Sequence, residues 1–167
     1  MKFALFTKLD SNENNDHIFS VFKSLDKHQL DYDVDSQSFD LISKLDNYNG
    51  DFSLSKVEKL SNEYDFVISI GGDGTILRSA NEIGELSIPI IGLNKGRLGF
   101  LANSPIEIID SIIEKITNSN YRISERTIIQ VEFEGKTKNA LNEISISRKN
   151  TTSLITIDTK LNLSLIH

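Results

Sequence analysis

At 167 residues with 38% hydrophobic content, the chain suits one core, or one domain plus part of another. A formal net charge of -6 argues against a nucleic-acid surface or an anionic membrane as partner, while leaving room for a local basic pocket. The absence of cysteine excludes disulfides and thiolate metal sites, and no segment approaches transmembrane or signal-peptide length, so a cytoplasmic protein is expected.

Phe3 to Thr7 is a short apolar run expected as a strand, and Ile18, Val21, Phe22 and Leu25 share one face of a helix expected over Asp16 to Gln29. Tyr32 and Val34 alternate with acids as a second strand. Phe39, Leu41, Ile42 and Leu45 suggest a brief helix, and Leu54, Val57 and Leu60 fit another. Phe66 to Ile70 is an apolar strand that stops at Gly71-Gly72-Asp73-Gly74-Thr75; Ile76, Leu77, Ala80 and Ile83 mark the helix after it, with Gly84 placed to end it. Ile88 to Leu93 is a second near-continuous apolar strand, the pattern of a parallel strand covered on both faces. After the loop NKGRLGFL, Ser104, Pro105 and Glu107 read as a helix start with Ser104 as cap, and Ile106, Ile109, Ile112, Ile113 and Ile116 supply the apolar face.

Beyond Asn118 the pattern changes. Ile128 to Glu134, Ile144 to Arg148, Leu154 to Asp158 and Leu161 to Leu165 alternate apolar and polar residues without helices between them, and Gly135-Lys136 reads as a hairpin turn. The expected fold class is therefore α/β: a doubly wound parallel sheet over residues 1–120, followed over residues 121–167 by an incomplete antiparallel all-β part. That second part reaches His167 with too few strands to cover its edges.

The strand-turn-helix at Gly71 to Thr75 is where chemistry is expected. Glycines let backbone N–H groups close on an anion, and the helix N-terminus adds partial positive charge, so Gly71, Gly72, Gly74 and Thr75 are phosphate-binding candidates. A carboxylate among such amides repels phosphate, which points to Asp73 as a proton acceptor or a metal holder. A tight connection with no ligand is the alternative. Lys95 and Arg97 could attract phosphates, although loop cations are usually solvated; His17, His28 and His167 form no metal-ligand spacing, and the first two are expected at a helix surface.

GGDGT at Gly71 to Thr75, NKGRLGFL at Asn94 to Leu101 and ALNEISI at Ala140 to Ile146, in that order, resemble the NAD kinases. Lipid kinases of the diacylglycerol and sphingosine type and phosphofructokinases carry similar GGDG turns. The lipid kinases usually place an Asn-Glu pair in the next helix, where this chain has Ile76-Leu77-Arg78, and the pair here stands at Asn142-Glu143. The resemblance implies ATP-dependent phosphorylation of the adenosine ribose 2′-hydroxyl of NAD to give NADP, with Asp73 as general base and Mg²⁺ or another divalent ion neutralising the triphosphate. It also implies that Asp73, Gly74, Arg78, Phe100, Asn142 and Glu143 bind NAD, and that full-length members form homo-oligomers. Two readings stay open for Arg78, facing nucleotide or exposed on its helix, and two for Phe100, lining the adenine pocket or sitting in the core. Family members continue into a completed β part with a Gly-Ser-Thr segment that does not occur before His167, so a non-catalytic nucleotide-binding remnant is one alternative; a lipid kinase, on the shared GGDG turn, is the other.

Overall fold

The computed structural model describes residues 1–8, 16–45, 48, 50–96, 99–141, 143–145, 147, 159–161 and 164–166. Strand β1 (Lys2–Thr7) leads into helix α1 (Asp16–Lys27), β2 (Asp31–Asp35), α2 (Ser36–Ile42), the two-residue β3 (Lys56–Val57) and β4 (Phe66–Ile70). Then come α3 (Asp73–Ile83), β5 (Ile90–Asn94), β6 (Ser104–Pro105) and, after a single 3₁₀ turn over Ile106–Ile108, α4 (Ile109–Thr117). All pairings among the first six strands are parallel, and they form one sheet in the order β3-β2-β1-β4-β5-β6. This is the doubly wound order, in which the chain turns back between β1 and β4 and leaves a crevice at their carboxyl ends.

Two apolar clusters fix the layers. On one face Phe3, Leu5, Phe66, Ile68, Ile70 and Leu93 pack with the buried stripe of α1 (Ile18, Val21, Phe22, Leu25) and with Ile109, Ile113 and Ile116 of α4. On the other, Ala4, Phe6 and Val67 pack with Ile83 of α3 and with Leu60, Tyr64 and Ile88. The central strands β1 and β4 are thus covered on both faces, which is why their sequences run apolar without alternation. Each large side chain so buried stabilises the fold by about 1.5–3 kcal/mol.

Three local expectations are corrected. Leu54, Val57 and Leu60 do not form a helix: Val34 N–H donates to Ser55 O at 2.8 Å, and Lys56 and Val57 pair beside Val34 and Asp35. The open edge of β2 offers ladder bonds that outweigh a short, unnucleated helical spacing. Ser104 does not cap a helix, because Ser104 and Pro105 extend the sheet beside Leu93 and Asn94, and α4 starts after Ile108 without a side-chain cap. His28 is not a free surface residue; it is half-buried, with Nε2 3.3 Å from Asp110 Oδ1, where Lys27 (2.6 Å) and Ser24 (3.1 Å) also tie α1 to α4.

The chain continues into antiparallel structure. Strands β7 (Ile129–Phe133) and β8 (Lys136–Ala140) form a hairpin whose two turn residues, Glu134 (φ 50°) and Gly135 (φ 71°), have the left-handed geometry that matches strand twist. The turn stands one residue earlier than expected. Thr159–Leu161 and Ser164–Ile166 pair antiparallel as β9 and β10, where one strand was expected. Residues 143–145 and 147 are not strand, and the run expected over 154–158 lies outside the described residues.

Candidate active site

β4 delivers Gly71 to the crevice between β1 and β4, and Gly71 N–H extends the ladder by donating to Leu93 O at 2.8 Å. Gly71 is required there on two counts. Its φ of +149° is disfavoured for other residues, and a Cβ would collide with the Thr75 hydroxyl folded beneath it. Thr75 is buried, and its N–H donates to Gly72 O at 2.9 Å, so the turn's own structure uses the amides of Gly71 and Thr75. Gly72, the N-cap of α3, and Gly74 in its first turn are exposed, with open space where a Cβ would stand. Of the four phosphate candidates these two are the ones an anion can approach, at a helix end whose first amides lack intrahelical partners.

Asp73 opens α3, where a negative charge is favoured by the helix dipole. Its carboxylate accepts three backbone N–H bonds of 2.9 Å: Phe100 to Oδ2, and Leu101 and Ala102 to Oδ1. The amides of Ala102 and Leu101, then that of Phe100, hold the carboxyl below the ordinary aspartate range against the opposing pull of partial burial. The GGDG and LGFL motifs, 27 residues apart from Asp73 to Phe100, are therefore one constellation. The loop is in turn pinned to the sheet: buried Asn94, at the end of β5, donates from Nδ2 to Ala102 O (3.2 Å) and accepts from Gly96 N–H (2.7 Å).

Arg78 is not the exposed helix arginine of one of its two readings, being half-buried and held by protein groups. Its Nη1 donates to Gln37 Oε1 (2.8 Å), and Nη2 to Thr7 O (2.9 Å) and Asp35 Oδ2 (3.4 Å), while the guanidinium lies over Phe6 at 5.6 Å. It ties α3 to the carboxyl ends of β1 and β2, where Asp35 also caps α2 through Ser38 N–H and the Ser38 hydroxyl. Phe100 is 95% exposed, hence not a core residue, and it meets Asp73 through its backbone N–H.

Asn142 lies outside the described residues. Glu143 lines a cavity of about 260 Å³ together with Leu77, Ala80 and Asn81 of α3 and with Ile128, Asn139 and Leu141. The helix that begins at Asp73 and the segment carrying Glu143 are thus brought to one space. Asn81 and Asn139 line the same cavity without having been singled out in the sequence; Leu77 and Asn81 follow Asp73 at four-residue steps along one face of α3. Lys95 is half-buried, and Arg97 lies outside the described residues. Among the described residues no group of three His, Asp or Glu side chains could hold a metal ion, and no helix is long and apolar enough to cross a membrane.

The family model for the ATP-NAD kinase N-terminal domain matches residues 12–121. The NAD kinase of Christiangramia forsetii is 36% identical over 166 residues, covering 95% of this chain and 56% of the relative. That of Bacteroides fragilis is 37% identical over 97% of this chain and 57% of the relative, and that of Flavobacterium johnsoniae 34% identical over 97% and 58%. The chain spans little more than half the length of these curated relatives. In fold it resembles yeast NADH kinase complexed with NADH, with a TM-score of 0.64 at 17% identity over 83% of this chain and 46% of that one. With two thirds of its residues inside the family's N-terminal domain and the GGDG and LGFL motifs joined through Asp73, the chain belongs to the NAD kinase family.

Proposed function

We propose that this chain carries the phosphoryl-transfer half of a NAD kinase, which moves the γ-phosphoryl group of ATP to the adenosine ribose 2′-hydroxyl of NAD. The observation that carries the reading is the Asp73 carboxylate at the first residue of α3, in a glycine turn at the sheet's switch point, beside exposed Gly72 and Gly74. Gly72 and Gly74 offer amides to the triphosphate, and Asp73 accepts the hydroxyl proton as oxygen bonds to phosphorus and the bond from phosphorus to the β–γ bridging oxygen breaks, releasing ADP. Glu143, with Asn142, accepts hydrogen bonds from ribose hydroxyls and reads the adenine edge, and Phe100 offers a ring for stacking. Arg78 belongs to the NAD-binding set as a neighbour that braces α3. A divalent ion such as Mg²⁺, bound together with ATP, would neutralise triphosphate charge. The division into residues 1–120 and 121–167, a homo-oligomeric assembly and a cytoplasmic location belong to the same proposal.

The experiment is NADP formation from NAD, ATP and Mg²⁺. Asp73→Asn is expected to lower kcat by about 10² or more with little change in the KM for NAD, as loss of a proton acceptor does. An unchanged kcat removes Asp73 from the chemistry. Phosphorylation of sphingosine or diacylglycerol in place of NAD moves the chain to the lipid kinases.

A further inference from the structure

We propose that the turn Gly99–Ala102 is a positioning element for phosphoryl transfer: it clamps the Asp73 carboxylate through three amides and leaves Oδ2 as the oxygen that meets the substrate hydroxyl. The proposal rests on the reading of Asp73 as proton acceptor and adds which oxygen acts and what holds it. Each carboxylate oxygen offers about two acceptor positions. Oδ1 takes Leu101 and Ala102 N–H and is filled; Oδ2 takes only Phe100 N–H and keeps one position. Donors on three successive residues fix the carboxylate's rotation as a single flexible side chain would not.

Gly99 makes the clamp possible. A Cβ there would collide with Asp73 Oδ1 and stand 2.7 Å from its carboxyl carbon. The turn cannot simply retreat, because Gly99 N–H donates to Ala102 O at 3.0 Å and Asn94, 5% exposed, donates to the same carbonyl. A carboxylate stabilised by three amides is a weak base, which suits a proton that passes to Oδ2 late in the same step, as the bond from the hydroxyl oxygen to phosphorus forms. Gly99 and the three amides thus act through Asp73 and are positioning groups.

The test is a pH titration of the whole chain, isotopically labelled, followed by NMR at the Asp73 carboxyl carbon and at the amides of Phe100, Leu101 and Ala102. The three amides are expected to move together with the carboxyl at a midpoint below the ordinary aspartate value. In Gly99→Ala that midpoint rises towards the ordinary value and the amides cease to follow it. Amides indifferent to the carboxyl, or a midpoint unmoved in Gly99→Ala, overturn the clamp. Should Gly99→Ala not fold, Asp73→Asn decides, since loss of the charge must shift all three amide protons upfield. In turnover, Gly99→Ala is expected to lower kcat about tenfold with the KM for NAD within about twofold. Undiminished NADP formation by Asp73→Asn would sink the proton-acceptor reading while leaving the titration result intact, so the two failures are distinguishable.

Discussion

The parallel sheet and the β7–β8 hairpin border α3 in opposite ways. β4 is buried at all five positions, and the turn it feeds is closed from within by ladder bonds, by Thr75 under Gly71 and by Asp73 on the LGFL amides. The hairpin is exposed along most of both strands, with Phe133 71% exposed, and its link to the site is the cavity shared by Glu143, Asn139 and α3. The sheet side is organised by its own core before any ligand arrives. If NAD occupies the proposed cavity, the hairpin side should contribute to binding rather than to stability.

Truncation of the sheet core has the largest expected effect. Ile68→Ala, in fully buried β4, should cost about 2–5 kcal/mol in urea unfolding and disturb the glycine turn with it; a loss under about 1 kcal/mol would break the contrast. Glu143→Gln tests the hairpin side and should raise the KM for NAD about tenfold while moving that for ATP little; equal effects on both would mean that the cavity is not where NAD sits. Tyr64→Phe probes the sheet away from the site. Asp33 is buried, and although burial opposes its ionisation, bonds from Lys2 (2.8 Å), the Ser55 hydroxyl and Tyr64 (2.7 Å) hold its carboxyl below the ordinary range. A depressed folded pKa stabilises above the unfolded value, near 4, and that stabilisation is lost as pH falls through the folded value. Tyr64→Phe should therefore cost about 1 kcal/mol at pH 7, and its difference from the parent chain should shrink in acid; a pH-independent difference would detach Tyr64 from the Asp33 charge. Smallest is Phe133→Ala on the exposed hairpin, expected within about 0.5 kcal/mol. A larger loss would show the hairpin to be packed in solution.

Much of the fold was legible in local pattern. Near-continuous apolar runs mark β1 and β4 because strands covered on both faces have no polar side to alternate with, and Gly84, at φ 57°, ends α3 where a left-handed residue was needed. The edges were not legible. Lys56–Val57 and Ser104–Pro105 are strands only because β2 and β5 present open ladders beside them, a partner that no window of a few residues contains. His28 likewise looked like a surface residue until α4 brought Asp110 against it.

By itself the sequence determined the order of the elements, the glycine turn with its single carboxylate and the motif order that marks the family, since periodicity, glycine placement and short motifs are properties of neighbouring residues. Only the tertiary structure decided what Asp73 touches. The carboxylate reaches amides 27 to 29 residues downstream because β4 and β5 lie side by side and Asn94 holds the returning loop over the turn. It also decided that Arg78 braces β1 and β2, and that Glu143 faces the helix that Asp73 begins, contacts that depend on how the chain folds back and on no local pattern.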